Sequence, residues 1–147
     1  MEIREATADD REWAAALLAG TDPWLRLGVT LARCQQRCRD PRYEVWIAVE
    51  AGARVGVALL HDIGMAGSPY LKSIAVAAPS RGRGVGSALL DFAEERWRGS
   101  AGWFFLCVSS FNTRARALYE RRGYVVVGEL PDQVIEGASE IVMRKRI

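Results

Sequence analysis

Apolar side chains recur every three or four residues in four stretches of the chain, and this spacing predicts four helices. The first begins after Thr7, a residue suited to the N-cap, with acids in the first turn. The others span residues 27–39, 85–97 and 112–122. Leu27 and Leu31 lie on one stripe with Cys34 and Cys38, so both cysteines are expected in the core.

Alternating or continuous apolar runs predict six strands. They cover residues 43–50, 54–60, 70–76, 103–108, 124–130 and 140–145. The first two flank an Ala51-Gly52 turn and form a predicted hairpin, whereas residues 64–69 are expected to form a loop. The run at 103–108, including Cys107, is apolar enough for burial on both faces. The order of elements predicts an α/β (α+β) fold, a central sheet with helices on both faces.

Composition narrows the class of protein. The 147 residues are 50% hydrophobic and 26% charged, which suits one globular domain over residues 1–147. A net charge of +2 disfavours a disordered tail or a dedicated nucleic-acid coat protein. Three cysteines are too few for a disulfide framework, and the single histidine, His61, offers no ligand pair, so no metal is expected.

The longest apolar run, residues 13–19, has seven residues, well short of the ~18 of a membrane span. Residues 1–5 lack the basic start and apolar stretch of a signal peptide, so we expect a cytoplasmic protein with no membrane contact. Charge is uneven along the chain. Residues 81–122 hold eight arginines against four acids, which indicates an anion site in this region.

A glycine-rich turn lies between the third strand and the third helix. It consists of Arg81, Gly82, Arg83, Gly84, Val85, Gly86 and Ser87. Glycines allow backbone N–H groups to approach a ligand, and the first N–H groups of a helix attract phosphate. The P-loop lysine is missing, and the glycine spacing differs from that of a dinucleotide-binding turn. The turn therefore predicts a phosphate site of another kind, against the alternative of a tight turn with solvated arginines.

The turn resembles the coenzyme A-binding motif of the GNAT superfamily of acetyltransferases, Gln/Arg-x-x-Gly-x-Gly/Ala. A second block, residues 108–124, is similar to the family's Asn-x-x-Ala-x-x-Leu-Tyr…Gly-Phe/Tyr segment. Both blocks occur in the family's order and spacing, and the resemblance covers nearly the whole chain. It implies a GNAT-like fold with a mixed, mostly antiparallel sheet of about six to seven strands.

The resemblance also implies residue roles. Ile74, Ala75 and Val76 would pair through their backbone with the pantetheine arm, and the N–H groups from Arg81 through Ser87 would hold the pyrophosphate. Asn112 would bond the pantetheine arm, with Ala115 packed beneath it, and Tyr119 would donate a proton to the departing thiolate. Without the resemblance, Asn112 is a helix N-cap and Tyr119 a core aromatic residue.

The function implied is an acetyl-CoA-dependent N-acetyltransferase acting on an amine and using no metal. One alternative is a non-catalytic acyl-CoA-binding regulatory domain of the same fold. The other is an arginine-rich nucleic-acid binder, which is disfavoured because Phe111 and Tyr119 lie in a helical block instead of forming a series of stacking platforms between the arginines.

The sequence says less about the site that would bind the amine acceptor. Glu44, His61 and Asp62 are candidate proton acceptors, and the amine could also arrive neutral. The acceptor is expected beside the first two helices and the last loop, which contain Asp22, Trp24, Asp132 and Glu136. A small amine, a protein N-terminus and a lysine side chain all stay open, as does a homodimer paired through the final strands.

Overall fold

A computed structural model describes residues 1–147. The elements follow in the order β1 (Glu2–Glu5), α1 (Ala8–Ala19), α2 (Leu31–Arg39), β2 (Glu44–Glu50), β3 (Ala53–Met65), β4 (Ser68–Val76), α3 (Val85–Glu95), β5 (Trp103–Ser109), α4 (Thr113–Arg121), β6 (Val125–Pro131) and β7 (Ser139–Arg146). A short 3₁₀ turn, Ala78–Ser80, separates β4 from the glycine turn.

All seven strands form one sheet in the order β1-β2-β3-β4-β5-β7-β6. Neighbouring strands are antiparallel except β4 and β5, which run parallel. Helices α1 and α2 pack on one face, and α3 and α4 on the other. The predicted α/β class and the mixed, mostly antiparallel sheet are therefore confirmed.

Each face of the sheet has its own apolar core. On one face, Cys34 and Cys38 are fully buried with Leu18 and Leu59, as their helical spacing predicts. On the other, Leu89 and the buried strand residues around it form the larger core. Buried Glu94 of α3 accepts hydrogen bonds from Lys145 (2.6 Å) and Tyr124 (3.0 Å), which attaches α3 to the last part of the chain.

Three elements differ from the sequence prediction. The edge strand β1 was not predicted, because four residues carry too little pattern to identify a strand. Helix α2 begins after the N-cap Thr30, so Leu27 lies in the preceding turn. The expected loop at 64–69 is mostly strand, since β3 and β4 continue as one long hairpin. Gly64 fits there because a Cβ would lie 2.9 Å from the Tyr70 side chain.

The start of α1 is a capping box. Thr7 Oγ1 accepts the Asp10 N–H at 3.2 Å, and Asp10 in turn accepts the Thr7 N–H at 2.9 Å. Asp10 is only 2% exposed and is also bound by Arg4 at 2.6 Å and Arg54 at 3.1 Å. The Arg4 hydrogen bonds hold the pKa of Asp10 well below its usual range. The structure confirms the predicted N-cap Thr7 and shows that Asp10 is the other residue of the capping box.

The parallel contact between β4 and β5 is very short. Only Tyr70 and Leu71 pair with Phe105 and Leu106, so the edge of β4 beyond Leu71 has no partner strand. On its other edge, β4 pairs Leu71 with Leu60 and Ser73 with Leu59, which leaves Lys72 as a β-bulge. The sheet therefore opens between β4 and β5.

Candidate active site

A cavity of about 840 Å³ occupies this opening. We distinguish two parts. The β4–β5 cleft is lined by Ile74, Val76, Val108, Asn112, Ala115 and Tyr119. The polar pocket is lined by Arg37, Tyr70, Lys72, Ser73, Cys107, Ser109 and Glu140. The two parts are continuous, so groups bound in them could react with one another.

The predicted β4 residues lie at the cleft. Ile74, Ala75 and Val76 all line the cavity, on the stretch of β4 whose second edge has no partner strand. An unpaired strand edge presents backbone donors and acceptors to an extended ligand. This part of β4 can therefore bind a chain-like molecule containing amide groups.

The glycine turn ends at the cleft. Gly82 and Gly84 adopt left-handed backbone angles, φ +75° and +84°, and a Cβ at either would meet nothing within 4 Å. The backbone N–H groups from Gly82 through Ser87 donate to no acceptor within the chain. Of the turn, Gly86 lines the cavity. Several free donors at a helix N-terminus suit a phosphate group.

The two arginines of the turn have partners within the chain. Arg81 Nε donates to the Val76 carbonyl at 3.1 Å, and Arg83 pairs with Glu50 at 2.9 Å. Elsewhere in the basic stretch, Arg96, Arg98, Arg116 and Arg122 are also ion-paired. Much of the local positive charge is therefore balanced on the surface, and the free backbone N–H groups are the stronger anion-binding feature.

Asn112 and Ala115 lie at the start of α4. Asn112 Oδ1 accepts the Ala115 N–H at 3.3 Å, so the asparagine is the helix N-cap. Its amide NH₂ has no partner within the chain, and both residues line the cavity. Capping and ligand contact are compatible because they use different atoms of the same amide.

Tyr119 is buried, with 7% of its surface exposed, yet it lines the cavity. Its ring packs against Tyr124, with 5.8 Å between the ring centroids. Its hydroxyl makes no hydrogen bond to any other residue of the chain. Burial raises the pKa of Tyr119 to about 12, so the phenol keeps its proton at neutral pH. A protonated hydroxyl facing a cavity can donate to a bound group.

Two of the three candidate proton acceptors do not line the cavity. Glu44 binds Arg96 at 2.6 Å and the Trp46 indole at 3.0 Å, and Asp62 is 66% exposed. His61 does line it, and its Nδ1 accepts the Ile63 N–H at 3.2 Å. Of the three candidates, only His61 therefore lies at the cavity.

Glu140 is the carboxylate that the sequence analysis missed. It lies opposite Ser109 on the β5–β7 ladder and accepts the Ser109 hydroxyl at 3.0 Å. Burial raises its pKa, against the opposing effects of the Ser109 hydrogen bond and the Lys72 charge. Its strand position carries no signal in the sequence, because only the pairing of β7 with β5 brings it to the pocket.

The positions of several other residues relative to the cavity also differ from the sequence prediction. Five of the seven residues of β5 are buried, on both faces of the strand, as predicted. Cys107 is half-buried instead and lines the cavity beside Tyr70. Of the segments expected near the acceptor, Asp22 and Trp24 line the cavity, whereas Asp132 and Glu136 do not. Gln133 and Val134 do so from the same loop.

No group of three or more His, Cys, Asp or Glu side chains is arranged to hold a metal ion. None of the helices is long and apolar enough to cross a membrane.

Known structures share this fold. A GNAT-family protein from Desulfovibrio desulfuricans superposes with a TM-score of 0.82 at 21% identity, covering 99% of this chain and 98% of that one. A ribosomal-protein-alanine N-acetyltransferase from Brucella melitensis gives 0.75 at 24% identity, with both chains fully covered. An aminoglycoside 6'-N-acetyltransferase complexed with coenzyme A gives 0.78 at 19% identity, over 99% and 97% of the chains.

Among curated protein sequences, none is significantly similar to this chain. The sequence profile of the acetyltransferase (GNAT) family matches residues 4–124, which include every residue assigned above to the β4–β5 cleft. The match confirms the resemblance based on the glycine turn and the Asn112–Tyr119 block. The chain belongs to the acetyltransferase (GNAT) family, and its enzyme class is N-acetyltransferase.

Proposed function

We propose that the chain transfers an acetyl group from acetyl-CoA directly to an amine, with Tyr119 as the proton donor to the leaving sulfur. The observation that carries this proposal is a protonated, unpartnered phenol in a cleft that has a free strand edge on one side. The relative crystallised with coenzyme A supports the choice of co-substrate.

The residues present fit coenzyme A. Its phosphates carry the negative charge that the free N–H groups from Gly82 through Ser87 would bind. Its amide-containing arm matches the unpaired edge of β4 at Ile74, Ala75 and Val76, with the Asn112 amide as a further donor. The open space above Gly82 and Gly84 lets a ligand approach the backbone closely.

Acetyl-CoA supplies an acetyl group as a thioester. A C–N bond forms between the acceptor nitrogen and the acetyl carbon, and the C–S bond breaks. The Tyr119 hydroxyl donates its proton to the sulfur, which leaves as a thiol. The amine proton needs an acceptor, and we propose Glu140, because it lines the cavity and burial raises its pKa.

Removing one hydroxyl tests this function. We expect Tyr119→Phe to lower kcat by about 100-fold, the usual scale for general acid catalysis, while acetyl-CoA binding changes little. Thiol release and calorimetric titration measure the two effects. Tyr124→Phe is the matched control, because it removes a buried tyrosine hydroxyl outside the cavity.

Undiminished turnover in Tyr119→Phe would remove this residue from the proton-donor role. If the wild-type protein binds acetyl-CoA but releases no thiol with any amine, the regulatory-domain alternative replaces the catalytic proposal. A single domain over residues 1–147, a cytoplasmic location and homodimerisation stay predictions.

A further inference from the structure

Two cationic side chains in the cavity form no ion pair within the chain, although the charge of Glu140 acts on one of them, Lys72. Three Arg and Lys side chains line the cavity, of which Arg42 is bound by Asp40 at 2.6 Å. Arg37 and Lys72 make no ion pair or side-chain hydrogen bond. Because unpaired charges are costly in a partly buried site, these two cations favour an anionic ligand group.

The two cations come from different elements that meet at the polar pocket. Lys72 is the bulged residue of β4, and Arg37 lies in the last turns of α2, which packs on this face of the sheet. Burial, followed by the Arg37 charge, lowers the pKa of Lys72, against the smaller opposing effects of Cys107 and Glu140, so the side chains of Arg37 and Lys72 are electrostatically coupled. A bound anion would relieve the repulsion between them.

A buried hydroxyl provides independent support for a polar ligand. Ser73 is 4% exposed and lines the cavity, yet its Oγ has no hydrogen-bond partner. Buried polar groups in folded proteins are nearly always hydrogen-bonded, so a bound molecule that supplies a partner for this hydroxyl would be stabilised. Both Ser73 and Lys72 line the cavity, and the bulge at Lys72 interrupts the alternation of side chains along β4, so the same ligand could contact both residues.

We infer that the acceptor is an amine that also carries a carboxylate, bound by Arg37 and Lys72, as in an α-amino acid with an apolar side chain. The inference rests on the proposed function. Within the polar pocket, Arg37 and Lys72 supply two positive charges and Glu140 one negative charge, so a singly charged carboxylate balances them. Asp22 lines the cavity outside the polar pocket. A doubly charged phosphate would be repelled more strongly by Glu140. Apolar lining comes from Trp24, Leu27, Ile63 and Val134.

Matched acceptors test the charge requirement. Thiol release from acetyl-CoA is measured with phenylalanine, phenylalaninamide and 2-phenylethylamine, which differ at the carboxylate position. We expect kcat/KM to be about tenfold or more higher for phenylalanine, since one charge-assisted interaction corresponds to about that factor. Arg37→Ala and Lys72→Met lower this value for phenylalanine, mainly through KM, and reduce its ratio to the value for phenylalaninamide.

Two controls accompany these variants. Lys72→Arg keeps the positive charge and should retain the preference for phenylalanine over phenylalaninamide. Arg33→Ala removes an exposed arginine one turn before Arg37. We expect this variant to leave kcat/KM unchanged for all three acceptors. In calorimetry without coenzyme A, we expect N-acetylphenylalanine to bind wild type at least about tenfold more tightly than its amide, and we expect Lys72→Met to reduce this difference.

The outcomes separate the two proposals. If the amide and 2-phenylethylamine react as fast as phenylalanine, the carboxylate inference is overturned and N-acetyl transfer stands. If acetyl-CoA binds but none of these three acceptors releases thiol, this inference is overturned. The proposed function fails as well only if no other amine releases thiol.

Discussion

At the scale of single residues, the site depends on side chains that have one structural and one chemical use. Asn112 caps α4 through its carbonyl oxygen and keeps its NH₂ group free. Tyr119 packs against Tyr124, and its hydroxyl faces the cavity. Helical spacing and capping therefore explain why these residues are tolerated, whereas cavity geometry explains how they could act.

Glu140 permits a pH-dependent test. Glu140→Gln is expected to lower kcat/KM by about 100-fold at neutral pH, because the amide cannot accept the amine proton. Since burial raises the pKa of Glu140, wild-type activity falls as the pH drops through that raised value, where the carboxylate becomes protonated. The groups that interact with Glu140 are Ser109, Lys72, Cys107 and Tyr70.

Asp62→Asn is the control for this variant, since Asp62 is exposed and outside the cavity. A pH–rate profile of Glu140→Gln that keeps the wild-type acidic limb would show that another group accepts the proton. His61 is then the remaining titratable candidate from the sequence analysis that lines the cavity.

At the scale of elements, local hydrogen bonds decide how the first strand and helix join the sheet. Asp10 belongs to the capping box of α1 and also binds Arg4 of β1 and Arg54 of β3. One buried carboxylate thus connects three elements. It explains why the short strand β1 is held at the sheet edge despite its weak apolar pattern.

Removing this carboxylate should destabilise the fold. We expect Asp10→Ala to lower the free energy of unfolding by about 3 kcal/mol at pH 7, through loss of the cap and of a buried charge pair. The folded-state pKa of Asp10 lies below its ordinary value near 4. The contribution of Asp10 to the free energy of unfolding is therefore complete above about pH 4 and declines as the pH falls below that value.

Urea unfolding of both proteins at pH 7 and pH 3 measures this difference. Asp9→Ala is the matched control, because Asp9 precedes Asp10 in the same turn and is 79% exposed. Equal losses from the two variants, or a loss that stays constant with pH, would contradict the role assigned to Asp10.

At the scale of the whole molecule, the two parts of the cavity lie on opposite faces of the sheet. Helices α3 and α4 cover the face that carries the glycine turn and Tyr119, and α1 and α2 cover the face that carries the polar pocket. The short contact between β4 and β5 connects the two faces. The proposed co-substrate and acceptor can therefore approach from opposite sides and meet between these strands.

The edge of the sheet formed by β6 predicts that two copies of the chain associate. Strand β6 is at the edge, and Val125, Val126 and Val127 are all about half exposed. An unpaired edge with adjacent apolar side chains favours pairing with a second copy, because antiparallel self-pairing is symmetric. We expect a homodimer in sedimentation analysis.

Val125→Lys combined with Val127→Lys should convert this dimer to a monomer by placing like charges opposite each other. Leu31→Lys is the control, since it changes an exposed apolar residue on α2, far from β6 in the strand order. A monomeric wild-type protein would refute the prediction, as would a dimer that the double variant leaves intact.

Local pattern in the sequence determined the helices at Thr7, Val85 and Asn112, most of the strands, the buried Cys34 and Cys38, and the glycine turn with its free N–H groups. These features depend on neighbours three or four residues away, which the sequence displays directly. Strand order, the β4–β5 opening and the pocket residues Arg37, Lys72 and Glu140 were decided only by the tertiary structure. Their meeting depends on which strands pair and in which register, and a single sequence contains no local signal for pairing between distant segments.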